Sequence, residues 1–255
     1  MKSYFTILCY IVSRSTLLCL VLIINFNSHL QAQSEFDQEI ICNSICKTDS
    51  VLFFQEIRPD SSLNENSVNN TNLSGPYFDH YPGIRIDILT ALNYYPELAH
   101  IRIQFLYKPI HQTMNARPSA GNIFRKKSNR QYCIIVNNNE GKQKGLSFEE
   151  LSFTIKIGWI GHELAHICEY ERMSNWQTFC FAVKYLCSKK YVRKVERKTD
   201  LITIEHNLAY PLYAGTDFLL HNKEIGDKYR RYALSNSLSP EEIKCLWCKL
   251  RDGKK

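Results

Sequence analysis

Residues 157 to 171 read IGWIGHELAHICEYE, inside a longer stretch, LSFEELSFTIKIGWIGHELAHICEYER, whose apolar pattern predicts one long helix. Ser147, followed by Glu149 and Glu150, marks its expected start. On such a helix His162 and His166 lie one turn apart on one face, so both imidazoles can reach a single Zn²⁺ at about 2.0–2.1 Å. Glu163 sits beside them, placed to take a proton from a metal-bound water rather than to bind the metal. The same spacing also suits a capped core helix holding two buried, hydrogen-bonded histidines.

A catalytic zinc needs a third protein ligand and an open position. Glu169 and Glu171 are poor candidates, because a helix cannot bend them back onto an ion held by His162 and His166. The stretch VERKTDLITIEHN supplies a better set: Glu196 and Asp200 are four apart and share a face of a later helix. Glu196 is the expected carboxylate ligand. Asp200, one turn on, is placed to accept the other ring N–H of a zinc histidine and so set its tautomer. Glu205 and His206 are the fallback ligands. Gly158 and Gly161 precede and flank the first histidine, where small residues would let another backbone approach the helix; simple helix packing accounts for them equally well.

Elsewhere the chain reads as an exported globular protein. Lys2 and Arg14 precede the apolar run LLCLVLIINF, which is too short to span a bilayer, and Ala32 offers a small residue before a cut. Residues 1–33 are therefore expected to be a signal peptide, with a membrane anchor as the alternative. Localisation would then be periplasmic or extracellular, with membrane contact only through an uncleaved leader. Residues 34–76 form an N-terminal segment and polar linker, ending in the Asn/Ser-rich run PDSSLNENSVNNTNLSGP, and residues 77–255 form the main domain. The net charge of +7 is dispersed, and clusters such as Arg125-Lys126-Lys127 read as solvated loop, so no nucleic-acid partner is expected. Eight cysteines follow the leader, too many for a pairing to be assigned. Cys180 and Cys187 read as core, and Cys245-x-x-Cys248 as structural or buried rather than as a redox pair.

Periodicity predicts a helix over 83–98 that stops at Pro96, strands over 100–109 and 130–141, a loop at MNARPSAGNIF between them, and helices over 175–187, 191–209 and 239–250. Strands followed by helices indicate an α+β fold with helices on one side of a small sheet.

HExxH on one helix with ExxxD on a later one resembles the gluzincin class of zinc metallopeptidases. The chain also resembles a group of uncharacterised bacterial exported proteins that share a GHELAH…ER-TD core, over about residues 80 to 220. The metzincin pattern is absent, since Glu169 and Arg172 stand where its glycine and third histidine would fall. The resemblance implies a zincin-like α+β fold: a small mixed sheet whose edge strand, Tyr132–Val136, packs on the HExxH helix and can receive a peptide through main-chain hydrogen bonds. It implies zinc held by His162, His166 and Glu196, with Asp200 as the orienting acid and Glu163 as general base for hydrolysis of a peptide or protein substrate. Tyr210, Tyr213 and His221 are the candidate oxyanion donors. The alternative is a catalytically inactive protein of that fold, binding zinc for structure or partner recognition. The 29 residues between His166 and Glu196 exceed the thermolysin-like interval. They accommodate an inserted helix, Trp176–Leu186, which is expected to cover the cleft in the inactive case.

Overall fold

A computed structural model of the chain describes residues 53–54, 57, 72–75, 78–79, 82–110, 112–119, 121, 125, 127–137 and 148–252, all within a compact unit spanning Ile45–Lys255. The signal peptide expected over 1–33 and most of the 34–76 segment lie outside the described residues. Among those described, no helix is long and apolar enough to cross a membrane.

The chain runs β1 (Leu73–Ser74), α1 (Pro82–Leu92), β2 (Arg102–Lys108), β3 (Met114–Pro118) and β4 (Gln131–Asn137). Then come α2 (Phe153–Arg172), α3 (Asn175–Cys187), α4 (Lys189–Glu205), α5 (Ala209–His221), α6 (Asp227–Asn236) and α7 (Pro240–Asp252). This is an α+β arrangement. The four strands form one mixed sheet in the order β1-β2-β4-β3. β1 and β4 both run parallel to β2, and β3 is antiparallel to β4. Ile103 and Phe105 of β2 and Tyr132, Ile134 and Val136 of β4 alternate onto one face, where they share a core with Ile88 and Leu92 of α1 and Ile157, Ile160 and Leu164 of α2. Cys133 and Ile135, on the opposite face, are buried too, as befits a central strand.

That centrality corrects one expectation. Tyr132–Val136 is not an edge strand; the edge on its side of the sheet is β3, in the segment read as a loop. Its sequence, MNARP, has no strong strand composition and ends in proline. Proline is tolerated there because of the pairing. Ser119 donates to Gln131 and Asn137 to Thr113, so the odd-numbered residues of β3 bond to β4 and the even-numbered ones face away. Pro118 therefore lacks an N–H only on the open side.

The motif helix also starts later than Ser147 suggests. Phe148 and Leu151 are buried, which takes the chain round a 3₁₀ turn at Phe148–Glu150 before Ser152 precedes the first helical residue. At the other end, Arg130 donates to the Tyr170 and Met173 carbonyls at 3.0 and 2.8 Å, satisfying acceptors that a helix C-terminus leaves open. Ser174 then caps α3, reciprocated by Gln177.

Helices α5 and α6 carry no clear sequence signal. Pro211 and Gly215 both interrupt α5. Pro211 falls in the first turn, where its missing amide has no intrahelical partner. Gly215 is required by contact: a Cβ there would stand 2.4 Å from Trp159 Nε1. Gly158 answers from α2, where a Cβ would meet the Pro211 carbonyl oxygen at 2.3 Å. The two helices thus touch backbone to backbone, and helix packing accounts for Gly158. Gly161 differs, since a Cβ there would meet a side-chain end, Leu208 Cδ1, at 2.4 Å. Gly158→Ala should accordingly destabilise the protein by about 1–3 kcal/mol or more, as overpacking against rigid backbone does. Gly161→Ala should cost less, because Leu208 can change rotamer. Urea midpoints of the two variants, compared with the parent, check the order.

Candidate metal centre

Helices α2 and α4 face each other across the site. His162 and His166, one turn apart on α2, point at Glu196, Thr199 and Asp200, which share one face of α4. Glu196 Oε2 lies 3.2 Å from His162 Nε2 and 3.6 Å from His166 Nε2. The other ring nitrogens are held from behind. Asp200 Oδ1 is 2.8 Å from His162 Nδ1, and its second oxygen accepts from the Leu238 amide at 2.8 Å. Thr199 Oγ1 is 3.1 Å from His166 Nδ1, and the Thr199 proton is left for the Val195 carbonyl or Glu169. Both histidines therefore carry a proton on Nδ1, and both Nε2 lone pairs face the Glu196 carboxylate. Acceptors that converge so closely require a positive charge between them, a proton or a metal ion.

The donor set suits zinc. The ligand atoms of His162, His166 and Glu196 all lie within 4.8 Å of one another. A tetrahedral zinc with bonds near 2.0–2.1 Å separates its ligand atoms by roughly 3.3 Å, close to the 3.2 and 3.6 Å found here. Tyr185 of α3 donates to Glu196 Oε1 at 2.5 Å, leaving Oε2 turned to the histidines.

Glu163 occupies a different position. Its side chain is buried, and Oε2 accepts from the Ala116 amide on the open side of β3 at 2.5 Å. Burial raises its pKa above the ordinary carboxylate value, against the pull of His166 and His162. It lines, with His162, Glu196 and Asp200, a cavity of about 120 Å³. The roof of that cavity is α6, through Tyr229, Tyr232 and Asn236, with Thr113 and Met114 of the β3 region on one side. Tyr229 ties roof to rim: its hydroxyl is 2.9 Å from Thr113 Oγ1 and accepts from the Thr113 amide at 3.3 Å. α6 buries none of its own residues.

The remaining sequence candidates fall elsewhere. Glu169 pairs with Lys198 at 2.8 Å, and Glu171 accepts from Tyr132. Tyr210 and Tyr213 pack edge-on against Phe53 and, with His221, line a separate depression on the outer side of α5. None of the three reaches the cavity. The 175–187 helix does not cover it either: Trp176 and Leu186 are exposed, and its contribution comes from Tyr185, behind Glu196. His206 stands apart with Glu97. Cys245 and Cys248 are buried and disulfide-bonded, whereas Cys133, Cys168, Cys180 and Cys187 are free, with Cys187 exposed rather than core.

Thr199, Tyr185, Tyr229 and Tyr232 are the site residues that sequence reasoning missed. Thr199 had a usable signal, lying three after Glu196 on the same helical face. Tyr185 and the α6 tyrosines had none, because they arrive from other elements. No family model matches the chain, and no curated protein or solved structure is significantly similar to it.

The electrostatics of the metal-free site set a pH window. Burial pushes the His162 pKa down, but hydrogen bonds and charge from Asp200 and Glu196 outweigh it and hold the value well above 6.5. His166 is raised in the same way, burial opposing and Glu196 prevailing. Glu196 is pushed up by burial, yet the charge of His166 and the bond to His162 hold it well below 4.5. The histidine contribution to stability is complete below 6.5 and is lost as pH rises through their folded values; the raised Glu163 acts in the same sense. The Glu196 contribution is complete above 4.5 and is lost as pH falls through its folded value. Metal-free protein should therefore resist urea best between about 4.5 and 6.5, and His162→Ala should flatten the decline above that window. Zinc should reverse the upper trend, because binding requires neutral imidazoles. Separately, Asp200→Asn should weaken zinc binding about 10–100-fold, read by competition with a chromogenic chelator.

Proposed function

We propose that this chain is an exported zinc metallopeptidase of the gluzincin type with a zincin-like fold, acting on a peptide or protein substrate. The observation that carries the reading is the convergence of His162 Nε2, His166 Nε2 and Glu196 Oε2, with the far ring nitrogens held by Thr199 and Asp200. His162, His166 and Glu196 would hold the ion; Asp200 and Thr199 would orient the two imidazoles; Tyr185 would orient the carboxylate. Zinc bound there would polarise a scissile carbonyl and lower the pKa of its water towards about 7.

The chain's own residues supply the rest of the chemistry. Glu163, beside but outside the ligand set, takes the proton of the attacking water and returns it to the leaving amine. Its raised pKa suits both halves of that transfer, since a base far more acidic than the medium holds a proton too briefly. The open side of β3 offers the Met114 main chain to an extended peptide in the manner of an added strand. Tyr229 and Tyr232 are the hydroxyls at hand for the developing oxyanion, a role the sequence suggested for Tyr210, Tyr213 or His221.

A second reading, a zincin-like protein that binds zinc without catalysis, is favoured by one feature. The cavity under α6 is small, and the Ala116 amide already occupies Glu163. α6, tied to Thr113 through Tyr229, stands beside the approach to the carboxylate.

One substitution separates the two. Glu163→Gln should keep the fold and one zinc per chain, measured by metal analysis, while lowering turnover of a peptide library by about 10²–10⁴-fold. Parent protein that holds zinc yet cleaves nothing in that library supports the second reading. Loss of zinc in Glu163→Gln removes Glu163 from the base role altogether.

A further inference from the structure

We infer that the protein carries a second zinc site, built from Glu97, Cys168 and His206 and separate from the α2–α4 centre. Cys168 follows His166 by two residues, which turns it about 200° round the helix, onto the side of α2 away from Glu196. There it meets Glu97, from the 3₁₀ turn Pro96–Leu98, and His206, the residue that ends α4. Cys168 Sγ is 3.4 Å and His206 Nε2 is 2.9 Å from the same oxygen, Glu97 Oε1. One ligand atom from each of the three lies within 4.8 Å of the others. A tetrahedral zinc with one sulfur at about 2.3 Å and two lighter donors near 2.0–2.1 Å spaces them by roughly 3.3–3.6 Å.

The histidine is prepared for this. Its Nδ1–H donates to the Ile202 carbonyl at 2.8 Å, so Nε2 presents its lone pair to the Glu97 carboxylate. As in the first centre, two acceptors face each other and need a positive charge between them. Tyr95, fully buried, stacks on the ring at 4.2 Å with the planes 14° apart. Its hydroxyl is fixed by the Gly161 carbonyl at 2.7 Å. Asn207, at φ 63, turns the chain out of α4 directly after His206, which sets the imidazole at the helix end. Orientation of a ligand through its second nitrogen is what bound histidines generally have.

A proton on His206 would satisfy the Glu97 pair alone, but it leaves a buried thiol with nothing to do there except donate weakly. A sulfur, nitrogen and oxygen set points to zinc rather than to magnesium or calcium. On binding, Cys168 gives its thiol proton to solvent and coordinates as thiolate. Glu97 is half-exposed at the mouth, leaving the fourth position to water. Such an ion would cross-link the turn leading into β2, the C-terminal part of α2 and the end of α4. The site does not depend on the peptidase reading.

Cobalt tests it, because only this site contains sulfur. Metal-stripped full-length protein titrated with Co²⁺ should take up two equivalents, one of them producing a near-ultraviolet thiolate-to-cobalt charge-transfer band. The band should persist in His162→Ala and vanish in Cys168→Ser, which should still bind one equivalent. Glu97→Gln, at an exposed position that puts the fold at no risk, should weaken the band-forming step at least tenfold. Parent protein without the band overturns the inference. So does a band that survives Cys168→Ser, since another cysteine of the chain must then supply the thiolate.

Discussion

Two imidazoles and two carboxylates meet, buried or largely enclosed, between α2 and α4, and charged or polar groups so placed are tolerated only when every one has a partner. The pair His162–Asp200 is the interaction that makes this possible. Asp200 is almost wholly enclosed, yet both its oxygens are used, one on the imidazole and one on the Leu238 amide. That second bond reaches past α6 to the chain entering α7. A single carboxylate thus joins the ligand helix, the opposing helix and the C-terminal segment. Its removal would leave a buried imidazole and a buried amide unpaired at once.

The same economy appears in how α2 is held. One face supplies the site, and beside it α2 is pressed against α5, which lines the same cavity through Leu212, Thr216 and Leu219, so closely that Gly158 and Gly215 each face a heavier group on the other helix. Arg130 closes its C-terminus from the sheet side. Movement of α2 is therefore opposed on three fronts, which suits the role proposed for it, since metal ligands must be held close to one geometry. The roof is built differently. α6 buries none of its residues and meets the rim through Tyr229 and Thr113, so the element over the cavity has little buried surface to lose.

β3 connects these parts. Being an edge strand, it has one side free of β4, and Ala116 turns its amide from that side to Glu163. That bond gives the buried Glu163 side chain a partner within the protein. It also means that the residue proposed as base, the strand proposed to receive a peptide and the tyrosine roof meet within one small cavity.

What the sequence by itself determined were the features encoded at helical spacing. His162 and His166 at four residues, and Glu196 with Asp200 at four, must share a face wherever a helix forms, so each pair was legible as a unit before any tertiary contact was known. Composition and alternation likewise sufficed for β2 and β4 and for the α+β class. Other features had no local signature. β3 is a strand because β4 pairs with it, not because MNARP favours extension. α5 tolerates Pro211 and Gly215 because of where its first turn falls and what Trp159 needs. Tyr185, Tyr229 and Thr113 reach the site from elements far apart in the chain. Tertiary structure alone decided that Tyr210, Tyr213 and His221 lie outside the cavity and that α6, rather than the 175–187 helix, covers it. The reason is geometric: a helix repeat fixes which residues face together, but only packing decides which neighbour they face.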